Sequence, residues 1–204
     1  MERTGRYHDA FGTTSADSPR IPDALSFLRG TWRVERRLAD HRSGTAGWFR
    51  GAARFAPAAG GDPEPGPHPA QSDDSKRRLP PAGPGCEELA YHEEGELVLG
   101  EHRGPASRRL IYRRRPDGTA DVFFADGREF YWLDPRPGRW QARHPCGRDE
   151  YLLRGRVLSD QLLEERWQVS GPGKDYEIMT TLTRTDASDR TAPGDTASSD
   201  PEHP

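Results

Sequence analysis

The densest chemistry in the sequence is the run HPCGRDEY, residues 144–151. Histidine, cysteine and aspartate can ligate metals, act as nucleophiles and move protons near neutral pH. His144, Cys146 and Asp149 span a turn built on Pro145 and Gly147, so their side chains can converge. One reading makes His144 a general base oriented by Asp149. Another makes the three residues contacts for a ligand. A structural zinc site usually needs four ligands, and no second pair accompanies them. The plain alternative is a hairpin in which Asp149 caps backbone donors, Cys146 is a small hydrophobe and His144 is a wall residue. GPGKDY, residues 171–176, is the second cluster. Lys174 and Lys76 are the only lysines in a chain that otherwise uses arginine. An ammonium positioned by this turn meets a carboxylate or phosphate, or else is simply solvated. The pattern is not a P-loop, since it lacks the second spaced glycine and the following helix. The third cluster, Asp126-Gly127-Arg128, is turn chemistry with an arginine at its rim.

These clusters sit in a series of short strands. PDALSFL, residues 22–28, reads as a brief helix. After it come TWRVERRLAD and GWFRGAARFA, then EELAYHEEGELVLGEH, read as a hairpin turning at Glu94-Gly95. Residues 107–134 read as three strands, divided at Pro116-Asp117-Gly118 and Asp126-Gly127. GRWQARH, DEYLLRGRVLS, QLLEERWQV and DYEIMTTLTRT complete the set. About ten short antiparallel strands at regular spacing predict an all-β sandwich or barrel. Closure removes exposed edges, which favours the barrel. Residues 1–20 and 186–204 are polar and aperiodic, and read as disordered tails. Residues 57–85, rich in Pro, Gly and Asp, read as a long disordered loop inside a domain spanning 21–185.

Composition narrows the function classes. Of 204 residues, 32% are hydrophobic and 31% charged, which would be thin for a core were the apolar residues not concentrated between Phe27 and Leu182. The net charge of −3, with both signs interspersed, argues against nucleic acid as a partner. The N-terminus carries no apolar run, and no stretch approaches the roughly 18 apolar residues of a membrane span. Two cysteines, Cys86 and Cys146, make no disulfide framework, so the expectation is a cytoplasmic protein with free thiols.

Strand periodicity assigns faces. Trp140, Ala142 and His144 share one face. Tyr151, Leu153 and Val157 share another, with Asp149. Leu163, Trp167 and Val169 share a third with Glu165, and Tyr176, Ile178 and Leu182 a fourth with Arg184. Charged residues thus stand at inward positions, where they must pair with one another or line a wet cavity. The arginines at 108, 109, 113, 114 and 115 read mostly as a solvated strand face, some pairing with Glu87 or Glu93.

Gly30-Thr31-Trp32 after a short helix resembles the Gly-x-Trp opening of lipocalin-like (calycin) barrels. The resemblance implies that Trp32 packs over the closed end against an arginine of the last strand, the position of Arg184. More widely, FLRGTW, LAYHEEG, FADGREF, HPCGRDEY and WQVSGPGKDY with LTR resemble a bacterial family of lipocalin-like domains of unknown function. Small haem-binding barrels of the nitrobindin type share the opening, but need a histidine late in the barrel. After His144 this chain has none before His203, so no cofactor is expected. The expected function is small-molecule binding in the lumen by a monomer or weak homodimer. The ligand is amphipathic or anionic, and contacts fall to His144, Cys146, Asp149, Tyr151, Trp167, Lys174, Tyr176, Arg128 and Arg184, with Gly30 and Trp32 structural. The alternatives are an enzyme using His144 and Asp149, and an interaction module using the loop and tail.

Overall fold

A computed structural model describes residues 19–58 and 85–185. Apart from their innermost positions, the expected tails and loop lie outside these residues.

Helix α1, Ala24–Leu28, starts at Asp23, whose carboxylate accepts from Ser26 N at 2.8 Å. Pro22 thus precedes the cap rather than sitting in the first turn. The helix ends after five residues because Arg29 turns extended and Gly30 takes φ 125°. That angle suits only glycine, and a Cβ there would meet the Arg184 guanidinium at 2.9 Å.

Ten antiparallel strands follow: β1 Gly30–Asp40, β2 Thr45–Pro57, β3 Glu88–Leu99, β4 His102–Arg114, β5 Ala120–Phe124, β6 Glu129–Leu133, β7 Arg139–Cys146, β8 Asp149–Ser159, β9 Leu162–Ser170 and β10 Asp175–Arg184. They form one sheet in the order β6-β5-β4-β3-β2-β1-β10-β9-β8-β7. The sheet curls until its edge strands β6 and β7 lie side by side without a backbone ladder, giving a nearly closed barrel. Side chains cross the seam. His144 Nδ1 on β7 lies 2.8 Å from the Phe130 carbonyl on β6. A carbonyl only accepts, so Nδ1 carries the proton.

The expected hairpin turn at Glu94-Gly95 is absent. β3 runs straight through it and turns only beyond Leu99. Gly95 instead faces Gly51 across the ladder, and a Cβ on it would lie 2.2 Å from the Arg50 carbonyl. The glycine serves a close approach of two strands, not a reversal. The Asp-Gly turns are as expected, with Gly118 at φ 84° and Gly127 at φ 81°.

Inward positions of the strands near α1 are fully buried: Val34, Phe55, Leu89, Val122, Leu133, Val157 and Leu163 among them. This is the closed end. Toward the opposite end, inward residues such as Leu97, Phe124, Phe130, Tyr151 and Ile178 are only partly covered. The end opposite α1 is therefore the less covered of the two.

Candidate functional site

The closed end is sealed by Trp32. Its indole Nε1 donates to the Leu28 carbonyl at 2.7 Å, and its ring meets Phe27 at 5.8 Å. The Arg184 guanidinium lies 4.2 Å from the Trp32 ring centroid and donates to the carbonyls of Arg29, at 2.7 Å, and Phe27. A cation on an aromatic face that also receives the last carbonyls of a helix is well satisfied. This matches the packing implied by the resemblance. It also engages Arg184 at the plug rather than in the open lumen.

One level deeper, β1, β3 and β4 bring charge inside. Arg36 grips Glu93 with both terminal nitrogens, at 2.8 and 2.7 Å, and its Nε donates to Thr180 Oγ1 at 3.0 Å. The Tyr91 hydroxyl also donates to Glu93. Burial by itself would raise the Glu93 pKa, but Arg36, Arg108 and Tyr91 outweigh it and hold the carboxyl at about 2. Glu93 is therefore an ionised, saturated anion with only 3% of its side chain exposed.

Arg108 is held differently. It shares an inward face with Leu110 and Tyr112. Its Nη2 reaches the Tyr91 hydroxyl and Glu93 only at 3.4 Å. Its Nε finds no hydrogen-bond partner among the described residues, and 40% of the side chain remains accessible. Such contacts are at the weak limit of hydrogen bonding. Glu165 of β9, expected inward, lines the same region. Burial raises its carboxyl above the usual range, against the pull of Arg108 and Arg36. Tyr112 and Tyr131 stand beside it, each held protonated by burial. Arg108, Glu165, Tyr91, Tyr112, Trp140 and Thr180 border a cavity of about 20 Å³. That suffices for a water-sized group but not for a whole ligand, which needs several hundred Å³.

The open half above it is aromatic. A β-bulge in β6 opposes Val122 with Tyr131 and Phe123 with Glu129, leaving Phe130 as the extra residue. Phe130 and Tyr131 therefore both turn inward. Phe130 stacks flat on Trp167 at 5.2 Å, and Tyr131 meets the same indole edge-on at 5.5 Å. His144 packs against Phe124, Phe130 and Tyr151. At the rim, Lys174 Nζ contacts Asp149 Oδ2 at 2.8 Å and donates to the Tyr151 hydroxyl at 2.8 Å, while Tyr176 donates to the same hydroxyl at 3.4 Å. Asp149 and Tyr151 keep Lys174 protonated well above the ordinary lysine range. Arg128 pairs with Asp126 at 2.7 Å and lies over the Phe124 ring. Cys146 sits opposite Asp149 at the end of the β7–β8 ladder.

The sequence-derived residues thus divide among three places. His144, Tyr151 and Trp167 belong to the aromatic half of the interior, His144 and Trp167 buried in it, with Tyr176, Lys174 and Asp149 at its rim, where Arg128 and Cys146 also lie. Asp149 engages Lys174, whereas His144 Nδ1 engages the Phe130 carbonyl. Arg184 and Gly30 belong to the closed end with Trp32. The sequence reading assigned no site role to Arg36 or Glu93 and placed Arg108 in a solvated face. Their signal was parity: Arg36 follows Val34, Glu93 follows Tyr91 and Arg108 precedes Leu110 by two. Some of the arginines at 108–115 were expected to pair with Glu87 or Glu93, and two do: Arg108 with Glu93 and Arg114 with Glu87.

A family model matches residues 28–184, the whole barrel. The chain belongs to the DUF6314 family, a family of unknown function. No curated protein matches its sequence. Among solved structures, the DUF6314 barrel is similar to an S-type phycobiliprotein lyase, CPES, from Guillardia theta. The two share 10% identity over 80% of this chain and 91% of that one, with a TM-score of 0.49. It is also similar to a redesigned β-barrel bound to DFHBI, at 13% identity over 78% and 99% of the two chains and a TM-score of 0.36. A DUF3598 protein of unknown function from Nostoc punctiforme matches at 12% identity over 85% of this chain and 53% of that one, with a TM-score of 0.36. Likenesses of this size carry nothing about activity, and the DUF6314 barrel is defined by its own strand order and register. Among the described residues no helix is long and apolar enough to cross a membrane.

Proposed function

We propose that this barrel binds a small amphipathic anion, head inward. The head, a carboxylate or similar group, meets Arg108. The body lies against Phe130, Trp167, Phe124 and Tyr151, with His144, Lys174 and Tyr176 near the mouth. The observation that carries the reading is Arg108: an inward side chain whose buried Nε has no hydrogen-bond partner among the described residues and whose Nη2 reaches its partners only at 3.4 Å. Burial opposes its charge, but Tyr91 and Glu93 keep it a cation. Two interior guanidiniums therefore face one saturated carboxylate, and an anionic head supplies the missing counter-charge. The reading includes a cytoplasmic setting and a monomer or weak homodimer.

The test is titration of the full chain with 1-anilinonaphthalene-8-sulfonate, an aromatic anion whose fluorescence rises in apolar surroundings. Wild type binds, and Arg108→Gln weakens binding by about tenfold or more, the loss of one charge-assisted contact. Equal affinity in the two proteins would sink the reading.

A further inference from the structure

Glu165 lies beside the proposed anion site, and nothing in the reading so far uses it. Its position is unusual. On β9 it stands opposite Thr180 of β10 and Gly155 of β8, between Leu163 and Trp167 on the inward face. The Trp140 ring fills the space that a Gly155 side chain would take, and Glu165 borders the same small chamber as Trp140 and Arg108. The charged and titratable groups that face it are Arg36 from β1, Tyr91 and Glu93 from β3, Arg108 and Tyr112 from β4, and Tyr131 from β6. Arg36 is already saturated by Glu93. Arg108 is thus the one cation among these with donor capacity left for Glu165 or for a ligand.

We propose that Glu165 is an internal competitor for the anion site: ionised, it takes the place of the ligand's head beside Arg108, and protonated, it yields that place. The proposal rests on the lumen reading above and adds its regulation and its stoichiometry. The interior of Arg36, Arg108 and Glu93 carries one net positive charge while Glu165 is neutral. A singly charged head then neutralises it. When Glu165 ionises, the chamber is already neutral, and a second anion meets like-charge repulsion in a poorly solvated space. At pH values where Glu165 is ionised in the free protein, binding a monoanion is therefore linked to proton uptake by Glu165. By reciprocity, ligand binding moves the Glu165 pKa further up, and alkalinity releases the ligand. The burial that raises this carboxyl above its ordinary range brings its titration closer to neutral pH.

The experiment measures 1-anilinonaphthalene-8-sulfonate affinity from about pH 4 to about pH 9, a range that spans ordinary and raised carboxyl titrations while the sulfonate stays charged. Wild type, Glu165→Gln and His144→Gln are compared. Wild-type affinity is expected to fall with rising pH. Glu165→Gln is expected to be flat and, at the alkaline end, about tenfold tighter than wild type, the effect of removing one like charge. A wall residue with no competing role would lose affinity on substitution rather than gain it. The His144→Gln protein keeps the wild-type slope, since that imidazole lies at the seam and not beside Arg108. The second readout needs no variant: the Glu165 side-chain carboxyl carbon, followed by NMR, titrates at higher pH with saturating probe than without it. A slope undiminished in Glu165→Gln, or a Glu165 titration unmoved by the probe, overturns the proposal while leaving the lumen site standing. A wild type that binds no probe at any pH overturns both.

Discussion

Two of the arginines that point into this barrel, Arg184 and Arg108, differ in their surroundings. Arg184, at the closed end, stands over the Trp32 ring at 4.2 Å and donates to the carbonyls of Arg29 and Phe27. Arg108, in the chamber, has hydrogen-bond contacts of 3.4 Å, a looser approach of 5.5 Å to the Tyr91 ring and an Nε with no hydrogen-bond partner among the described residues. The first closes the fold, and the second is open to a partner. An inward charge is therefore not by itself evidence for a site. What distinguishes the two is how far the protein's own atoms satisfy the group.

That contrast yields graded expectations. Trp32→Ala removes the buried plug and leaves the Arg184 guanidinium without its aromatic face. Thermal or denaturant unfolding should show a loss of about 3–5 kcal/mol. A cost under about 1 kcal/mol would mean that the closed end is not the stabilising region. Glu93→Gln follows, at about 3 kcal/mol, because it leaves Arg36 buried without its counter-ion. Glu93 also fixes the sign of an acid effect. Its folded pKa of about 2 lies below the ordinary glutamate value of 4.5, so its contribution is present above about pH 4.5 and lost as pH falls toward 2. Glu93→Gln should flatten that part of the stability profile. Arg184→Gln should cost about 1–2 kcal/mol, through lost stacking and carbonyl contacts. Smallest of all, Arg108→Met should change stability by less than about 1 kcal/mol, because a weakly held, half-exposed guanidinium contributes little to the folded state. A large destabilisation by Arg108→Met would erase the distinction between the two arginines.

Much of this was legible beforehand, and what was missed has identifiable causes. Alternation placed Trp140, His144, Leu153, Leu163, Glu165, Trp167 and Leu182 inward, and the structure agrees because the one irregularity of these ladders falls beyond them, between Val157 and Ser159. Gly95 was misread as a turn because glycine after a charged pair looks the same locally whether a chain reverses or two strands approach closely. Phe130 was unreadable for a related reason. Strict alternation sends it outward from Tyr131, and only the bulge against β5 brings both rings to the lumen. Arg36, Glu93 and Arg108 lie in strands with charged residues on both faces, which blurs the pattern that marks an inward position.

The sequence by itself determined the all-β class, the strand periods, the Asp-Gly turns and the helix-capped opening at Trp32. These rest on interactions between near neighbours, which leave a local imprint in residue order. The tertiary structure alone decided which charges are satisfied. Arg36 reaches Glu93 across 57 positions of chain, His144 reaches β6 across a seam with no ladder, and Glu165 shares a chamber with Arg108 only because the sheet curls round. Saturation of a buried charge depends on distances across the barrel, and closure of the sheet sets those distances.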